Sequence, residues 1–419
     1  MSNRLKKIRQ EFIDYRLLRN QAFLLLWSSQ AVSAIGDAFF NLAVMWVVYT
    51  ESGSALQTAI IQVVWQLSPI LIGPLAGALV DRWDRKKIMV LTNMLSAVVV
   101  GAVAVSISRQ GQVTPVTIFV TVFLLNSLNS FLSPARFSIM PEIVSHDLLA
   151  TAAGVSASTK QLAALLGNAL AGVVIATVGT TWSLAIDAVS FLFASIAIII
   201  APLPRRTNIL PAHEQRPSLL REIMDGWQAI MDLPLVQALV WLSVFMNASS
   251  FLGPLYPALI SQRLHSGAAA YGTIEALGVI GTIAAGLLAG FLEKRLGAGR
   301  LLVAGWLFGG ICVLGIAFST SLVLTAVLEA ALTFNLTAAT IVSGVLMQTL
   351  VPENYRGRAS GIIGGLSVIT IPFTALIGGW FTDKVGVLPV FVFGGIWIIT
   401  AAGLAWSNSH VRVIRINAI

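Results

Sequence analysis

The sequence predicts an all-α membrane protein with twelve transmembrane helices arranged as two pseudo-symmetric six-helix bundles. Three observations support this fold class: the composition, the number of long apolar segments, and patterns that recur in the two halves. Of the 419 residues, 57% are hydrophobic and 11% are charged, and the mean hydropathy is +0.86. Because soluble domains carry about 25% charged residues, the composition excludes a soluble protein.

Twelve apolar segments are long enough to cross the hydrocarbon core of a bilayer, which takes about 20 residues of helix. We number them as spans one to twelve: 22–49, 55–80, 88–107, 115–134, 151–178, 182–202, 234–260, 268–292, 300–318, 321–346, 359–381 and 388–406. The first segment is too long for a cleavable signal peptide. We therefore expect it to be retained as a span.

Polar segments divide the chain into five predicted regions. They are a basic N-terminal segment (1–21), a first six-helix bundle (22–202), a linker (203–233), a second six-helix bundle (234–406) and a tail (407–419). In the linker, the stretch "LLREIMDGWQAIMDLP" has helical periodicity. This pattern is typical of an amphipathic helix on the membrane surface and equally of an ordinary solvated linker helix.

The distribution of Lys and Arg predicts the orientation of the chain. Of these 26 residues, 22 fall on the side of the N-terminus, whereas Arg109, Arg263 and Lys384 fall on the opposite side and Lys160 falls within a span. Because basic residues mark cytoplasmic loops, we predict that both termini and the linker are cytoplasmic. The formal net charge of +8 is then a topology signal, and no nucleic-acid partner is predicted.

Three short patterns recur at corresponding places in the two halves. "GPLAGALVDRWDRKKIM" (73–89) aligns with "GLLAGFLEKRLGAGRLL" (286–302), and "AGVVIATVG" (171–179) aligns with "GGWFTDKVG" (378–386). A Pro-Glu pair follows span four and again span ten. Apolar sequence produces chance matches readily, but three in register indicate repeated six-helix halves, which is an architecture of transporters.

The loop after span two resembles the signature of the major facilitator superfamily, and the resemblance extends over essentially the whole chain. The signature G-x-L-x-D-R-x-G-R-K/R is matched by six residues: Gly77, Leu79, Asp81, Arg82, Arg85 and Lys86. Asp84 stands where the family usually has glycine. The resemblance implies the twelve-helix fold of that superfamily and a transport function.

Further motifs are similar to the drug:proton antiporter branch, which includes bacterial macrolide and enterobactin exporters. These motifs are "DRWDRKK", "LVPENYRGRASG" (350–361) and "GPLYP" (253–257). The antiporter motif G-P-x-x-G-G of span five is only partly kept in "GNALAG", where Asn168 replaces proline. The basic motif of span four is absent, and Asn126 and Asn129 lie nearby instead.

In that family the loop after span two is a cytoplasmic gate, and the residue types here suit this role. Gly73 and Gly77 lie four apart on one face of span two, which lets another helix approach closely. The resemblance implies that this partner is span eleven, beginning near residues 358–361. A helix N-terminus carries about +0.5 of a charge, so we expect Asp81 to lie favourably against it.

The basic residues of this loop have two interpretations. Arg82, Arg85 and Lys86 can pair with acids such as Glu142 within a gate, or they can anchor the loop in the lipid headgroups. An anchor gains nothing from the acidic residues of the loop, so we favour the gate. Arg136 joins this network or anchors span four, and the sequence does not separate these roles.

Five ionisable residues fall inside the spans: Asp37, Lys160, Asp187, Glu275 and Glu329. Such residues cost about 2.5–3.5 kcal/mol each on insertion scales and normally face the bundle interior. The resemblance places spans one, four, seven and ten around a central cavity, so Asp37 and Glu329 are the predicted proton-coupling acids. Lys160 counters an acid or extends to the interface, and Asn126 and Asn129 are further cavity candidates.

The resemblance implies a proton-coupled exporter of amphipathic small molecules, such as macrolide-like drugs or siderophores, acting by alternating access. The alternatives are a lipid or lysolipid flippase on the same fold and a sensor without transport. We expect a monomer in the plasma (inner) membrane whose partners are the substrate, protons and membrane lipid. The four His residues show no metal-site spacing and no phosphate-binding loop is present, so we predict no enzyme activity, metal or cofactor.

The predicted orientation can be tested by labelling single cysteines. In a Cys312-free background, we expect a membrane-impermeant thiol reagent to label Arg109→Cys in intact cells. Ala212→Cys, in the linker, should react only after the cells are opened. Strong labelling of position 212 in intact cells, with position 109 silent, would reverse the orientation.

Overall fold

A computed structural model describes residues 15–80, 82–111, 113–204, 234–351 and 356–408. Within these ranges all of the regular secondary structure is helical. The first 14 residues, the predicted linker helix in 205–233 and the tail from residue 409 lie outside the described residues. The all-α prediction is confirmed.

Six long helices follow a one-turn helix, Tyr15–Arg19, in the first half of the chain. They are α1 (Gln21–Ser52), α2 (Ala55–Val80), α3 (Arg85–Gln110), α4 (Pro115–Ile143), α5 (Leu149–Val178) and α6 (Thr180–Ile200). Six spans follow in the second half: α7a (Pro234–Asn247) with α7b (Tyr256–Gln262), then α8 (Ala268–Leu296), α9 (Ala298–Phe318), α10 (Leu322–Leu350), α11 (Arg356–Val385) and α12 (Val387–Ser407).

The number of spans agrees with the prediction. Eleven candidate spans of the described chain are long and apolar enough to cross a membrane. The twelfth, α11, has 30 residues, which exceeds the length that a bilayer core requires. The prediction of a twelve-helix membrane protein is therefore confirmed.

Span seven is interrupted in the middle. A 3₁₀ segment, Ala248–Leu255, separates α7a from α7b. Pro254 lies inside it, and proline lacks the backbone N–H that an α-helix requires. Hydropathy alone gave no sign of this break, although the Gly253-Pro254 pair and Pro257 are residues that typically mark one.

Glycines with positive φ join three pairs of consecutive helices through a single residue. Gly179 (φ 92°) joins α5 to α6, Gly297 (φ 86°) joins α8 to α9, and Gly386 (φ 84°) joins α11 to α12. Residues with a side chain rarely adopt this conformation. Gly179 and Gly386 are also one of the pairs that the internal repeat aligned, so the repeat extends to the geometry of these turns.

The chain divides into two compact units. Unit 1 comprises Met1–Ser52 and Val64–Pro211, and unit 2 comprises Gly53–Val63 and Ala212–Ile419. The first turns of α2 therefore pack with unit 2, although the sequence places all of span two in the first bundle. The predicted boundaries of the two bundles remain predictions.

Three helix pairs recur inside the two units, whereas among the described residues the extensive α8–α10 contact of unit 2 has no comparable α2–α4 contact in unit 1. In unit 1, α3 packs against α4 and α6, and α1 packs against α5. In unit 2, the corresponding pairs are α9 with α10 and α12, and the 3₁₀ segment of span seven with α11. The internal repeat in the sequence thus corresponds to a repeated packing arrangement.

Close approach of helices inside each unit depends on glycine. A Cβ atom placed at Gly281 of α8 would lie 2.0 Å from the backbone oxygen of Ala330 and 2.3 Å from Oγ1 of Thr333, both on α10. Small residues allow such contacts because they let two backbones approach, and packing rather than the hydrophobic effect holds helices together in lipid.

We expect Gly281→Ala to destabilise unit 2, because the added methyl group overlaps the backbone of α10, which cannot move away as a side chain can. Overpacking of this kind costs about 1–3 kcal/mol, which exceeds the gain of about 1 kcal/mol from replacing glycine in a helix. Thermal unfolding of the purified protein in detergent measures the effect.

The matched control for this substitution is Gly403→Ala on α12. No heavy atom of the described chain lies within 4 Å of a Cβ at Gly403, so this variant should be as stable as the parent or slightly more stable. Equal melting temperatures for the two variants would show that α8 and α10 are not in such close contact.

Candidate functional site

Unit 1 contains a group of charged residues around the middle of α1. Asp37 lies halfway along this 32-residue helix, yet its side chain is exposed. Arg136 of α4 and Lys160 of α5 both act electrostatically on its carboxylate, and the effect of Arg136 is the larger. The structure therefore brings together three predicted residues, including one that the sequence assigned to the cytoplasmic gate or to an anchor.

The Arg136 side chain has donors that the protein does not satisfy. Its Nε and Nη2 atoms are buried and have no hydrogen-bond partner among the described residues. A buried guanidinium group without a full set of acceptors is costly. Arg136 thus lies within electrostatic range of Asp37 and has donors left for a further hydrogen-bond partner.

Asp187 of α6 lies beside the same part of α1. It is fully buried, and a Cβ at Gly36 would lie only 2.5 Å from its Oδ1 and 2.1 Å from Oγ of Ser190. The Ser190 hydroxyl lies 3.3 Å from Oδ1, whereas Oδ2 has no partner among the described residues. Gly36 therefore allows this acid to reach the backbone beside Asp37, and the two carboxyl groups interact electrostatically.

The two asparagines predicted near this cavity are both on α4. The Asn126 amide donates to the Val122 carbonyl oxygen of its own helix at 2.9 Å. Asn129 is exposed. Neither of these observations links them to the Asp37 group, so their place in a binding site remains a prediction.

Unit 2 contains a second, purely acidic group. The Tyr256 hydroxyl, at the start of α7b, donates a hydrogen bond to the Glu329 carboxylate on α10. Glu275 of α8 lies within electrostatic range of Glu329, and Tyr271 lies within range of both acids. Both tyrosines are buried, with 6% and 5% of their surface exposed.

The tyrosines of this group were missed in the sequence, although a signal for one was present. Tyr256 is the first residue after the 3₁₀ segment, and its ring packs edge-on against Phe391 with centroids 5.6 Å apart. The break at Gly253-Pro254 therefore places the hydroxyl opposite Glu329. Carboxyl groups inside a membrane protein commonly bind cations or carry protons. No group of three or more potential metal ligands occurs in the described ranges.

The first turn of α3 holds the ends of two other helices in place. Arg85 pairs with Glu142 of α4, and its Nη1 atom also donates to the Ser138 carbonyl oxygen at 3.0 Å. Lys86 donates to the carbonyl oxygens of Ile199 and Ala201 at the end of α6, at 2.8 Å each. Cations are favourable at the C-terminal end of a helix, where carbonyl groups lack partners.

Asp84, which departs from the family signature, caps the N-terminus of α3. Its carboxylate accepts a hydrogen bond from the Lys87 backbone N–H at 2.9 Å. Aspartate is among the best residues for this capping position. An Asp just before an apolar helical segment is a recognisable capping signal. The sequence alone therefore explains why Asp84 can stand where the family signature has glycine.

The other residues of the predicted cytoplasmic gate give no test of it, so the gate remains a prediction. Arg82 is exposed. Apart from the backbone of α2 itself, no heavy atom of unit 1 in the described residues lies within 4 Å of a Cβ built at Gly73 or Gly77. Asp81 lies outside the described residues, and so do the side chains of residues 358–361 at the predicted partner.

At the other end of α2, an acidic residue of α11 caps the helix. Oδ1 of Asp383 accepts from the Ala55 backbone N–H at 2.6 Å, and Oδ2 accepts from the Ser54 hydroxyl at 2.5 Å and the Leu56 N–H at 3.2 Å. A Cβ at Gly379, one turn earlier, would lie 2.8 Å from Cα of Leu56. Asp383 was not among the residues predicted from the sequence.

Comparison with known proteins identifies the family. The sequence profile of the transmembrane secretion effectors matches residues 14–417. The chain belongs to this family of major facilitator superfamily transporters. Macrolide efflux protein A of Streptococcus pyogenes is 24% identical to this transporter over 397 residues, covering 93% of this chain and 96% of that protein. The multidrug efflux pump Tap of Mycolicibacterium fortuitum is 26% identical over 391 residues, covering 89% and 92%.

Solved structures with the same fold are much more distant in sequence. A bacterial homologue of the human lysosomal transporter Spinster, in an inward-facing and unoccupied conformation, matches with a TM-score of 0.71 at 13% identity, covering 93% of this chain and 96% of that one. The nucleoside transporter NupG matches with a TM-score of 0.73 at 11% identity, covering 92% and 98%. These likenesses show the fold, and the predicted superfamily is confirmed. The protein is a multi-pass membrane transporter and not an enzyme.

Proposed function

We propose that this transporter exports amphipathic small molecules across the plasma membrane in exchange for protons. The observation that carries this proposal is the position of Asp37, an exposed carboxylate halfway along a transmembrane helix with Arg136 and Lys160 acting on it. Ionisable residues at this depth normally face a water-filled cavity or a substrate pathway. The names of the relatives, which describe macrolide and multidrug efflux, support export and macrolide-like drugs as a substrate class. Siderophores are the other substrate class that we propose.

The Asp37 group has the properties that proton coupling requires. A neighbouring cation favours the ionised form of a carboxyl group, whereas loss of surrounding water favours the protonated form. Asp37, Arg136 and Lys160 are on three different helices, so a movement of α4 or α5 past α1 changes both conditions together. Glu329, with its tyrosine partner, is the second candidate for this role.

Alternating access requires that the transporter closes at each end in turn. On the side predicted to be cytoplasmic, the loop after α2 is the proposed gate, with Asp81 as its acid. On the opposite side, we propose that the Asp383 cap on α2 holds the closed state. Three hydrogen bonds and the close approach at Gly379 support this assignment.

We expect Asp37→Asn to abolish proton-driven accumulation while leaving a folded protein that still binds or exchanges substrate. Each pH unit supplies about 1.4 kcal/mol per transported proton, which is enough for a tenfold substrate gradient. In proteoliposomes with an imposed pH difference, the variant should only equilibrate the substrate. Binding to the purified variant and its melting temperature are measured in parallel.

Glu51→Gln is the matched control, since it makes the same chemical change at an exposed position of the same helix. It should accumulate substrate like the parent. If Asp37→Asn still concentrates substrate under a pH difference, Asp37 is not the coupling residue and Glu329 is tested next. A loss of stability that is rescued by neutralising Arg136 or Lys160 would instead give Asp37 a structural role.

We expect Asp383→Ala to open the outer end of α2. Loss of a capping acceptor costs about 1 kcal/mol, which corresponds to a roughly fivefold shift between two conformations. In a Cys312-free background, a cysteine at Ala59 reports this change, because Ala59 is fully buried and faces Gly379. Its labelling by an impermeant thiol reagent should rise about fivefold, whereas Lys384→Ala should leave it unchanged. Equal labelling in both variants would remove Asp383 from the closure.

The substrate class is tested with a panel of macrolides, siderophores and lysolipids in the same proteoliposomes. Substrate-dependent proton movement with drugs or siderophores supports the proposal. Transport of lysolipids alone would favour the flippase alternative. We further propose that the transporter acts as a monomer, which size-exclusion chromatography with light scattering measures directly.

A further inference from the structure

A groove lies between α11 and α12 in unit 2. Its volume is about 370 Å³. The buried residues Ala248, Phe251 and Val390 form its floor, and the exposed residues Phe381, Val385 and Phe393 form its rim. We refer to this feature as the α11–α12 groove.

The groove exists because two consecutive helices pack against different partners. α11 packs mainly on the 3₁₀ segment of span seven, whereas α12 packs mainly on α9. Gly378 allows the first contact, since a Cβ there would lie 2.8 Å from the Phe251 ring. Gly394 brings α12 equally close to Leu252. The 3₁₀ segment is thus held between the two helices and forms the bottom of the groove.

The walls of the groove are aromatic and fixed by mutual contacts. The rings of Phe245 and Trp397 are stacked with centroids 4.1 Å apart and an interplanar angle of 8°. The rings of Phe251 and Phe393 lie 6.2 Å apart. Aromatic pairs of this kind add about 0.5–1.5 kcal/mol beyond their buried area, so the groove is a formed feature of the fold.

The lining offers no polar group to a ligand. Thr374 donates to carbonyl oxygens of its own helix, at 3.1 Å to Thr370 and to Ile371. The Trp397 indole N–H donates to the Phe245 carbonyl oxygen at 2.8 Å. An amphipathic drug placed here would leave its polar groups without partners, which is costly in an apolar site. The groove therefore fits pure hydrocarbon.

The position of the groove in the membrane also specifies the occupant. From Val385 to Thr374, α11 rises about 16 Å, at about 1.5 Å per residue, which is close to half of a hydrocarbon core of about 30 Å. The rim side chains of Phe381, Val385 and Phe393 are 47%, 53% and 54% exposed. The groove thus continues the apolar face that these spans turn towards the bilayer, and it extends from one end of the spans to the middle of the membrane.

We propose that the α11–α12 groove binds one acyl chain of a membrane lipid from the leaflet nearest Gly386. In the predicted orientation this is the outer leaflet. The bound chain contacts the 3₁₀ segment, and Tyr256, the hydrogen-bond partner of Glu329, follows that segment directly. The 3₁₀ segment of span seven therefore connects the lipid that occupies the groove with the acidic group of unit 2.

Photocrosslinking in a bilayer tests the site. The full-length protein is reconstituted with a phospholipid that carries a diazirine in the middle of one acyl chain, and labelled residues are located by mass spectrometry after illumination. Phe251 and Val390 are 5% and 6% exposed, so they become labelled only if a chain enters the groove. We expect labelling of this floor above the level found on exposed residues of α9.

Ile377→Trp fills the groove from its rim, and Ile311→Trp on α9 is the matched control. Both positions are exposed, at 56% and 48%, so neither substitution disturbs buried packing. We expect Ile377→Trp to lose the labelling of the groove floor and Ile311→Trp to keep it. The two variants should have equal melting temperatures. Val385→Trp replaces Ile377→Trp if the latter does not fold.

Two results would overturn the proposal. The first is floor labelling in the parent that does not exceed the labelling of α9, or that survives filling of the groove. The second is displacement of the label by a saturating macrolide, which would assign the groove to the apolar part of the transported substrate. Persistence of the label in the presence of macrolide supports a lipid site.

Discussion

A charge inside a bilayer must have a partner or water, and this constraint organises the interior of both units. In unit 1, one carboxylate is exposed with two cations acting on it, and a second is fully buried where Gly36 leaves room for it. In unit 2, no cation accompanies Glu275 and Glu329 in the described residues, and tyrosine hydroxyl groups surround them instead. The two halves share a fold, but the ionisable groups inside them have different kinds of partner.

This difference stands beside a scaffold that the internal repeat keeps alike. The repeated packing of α3 and α9 with their neighbours keeps the scaffold of the two units alike. The charged groups, by contrast, differ between the two units. Unit 1 combines the carboxylate of Asp37 with two cations, whereas unit 2 pairs Glu329 with a tyrosine hydroxyl.

The fold was largely predictable, because it depends on properties that are visible along the chain. Segment length and hydropathy predicted twelve spans, and glycine pairs such as Gly179 and Gly386 predicted the repeat. The partners of the ionisable residues were not predictable in the same way. Tyr256 and Glu329 are 73 residues apart in the chain, and Arg136 reaches Asp37 only because α4 and α1 belong to one bundle. Such contacts depend on helix rotation, and in helices that are apolar all round no periodic pattern fixes the rotation.

The single-residue turns at Gly179, Gly297 and Gly386 leave no slack between the helices that they join. A hairpin without slack behaves mechanically as one piece, so α5 with α6, and α11 with α12, must tilt together rather than slide past each other. The same turns expose almost no chain to an antibody or a protease. An epitope tag or a fluorescent protein inserted there would separate paired helices, whereas the longer connection around Gly111, between α3 and α4, has room to accommodate one.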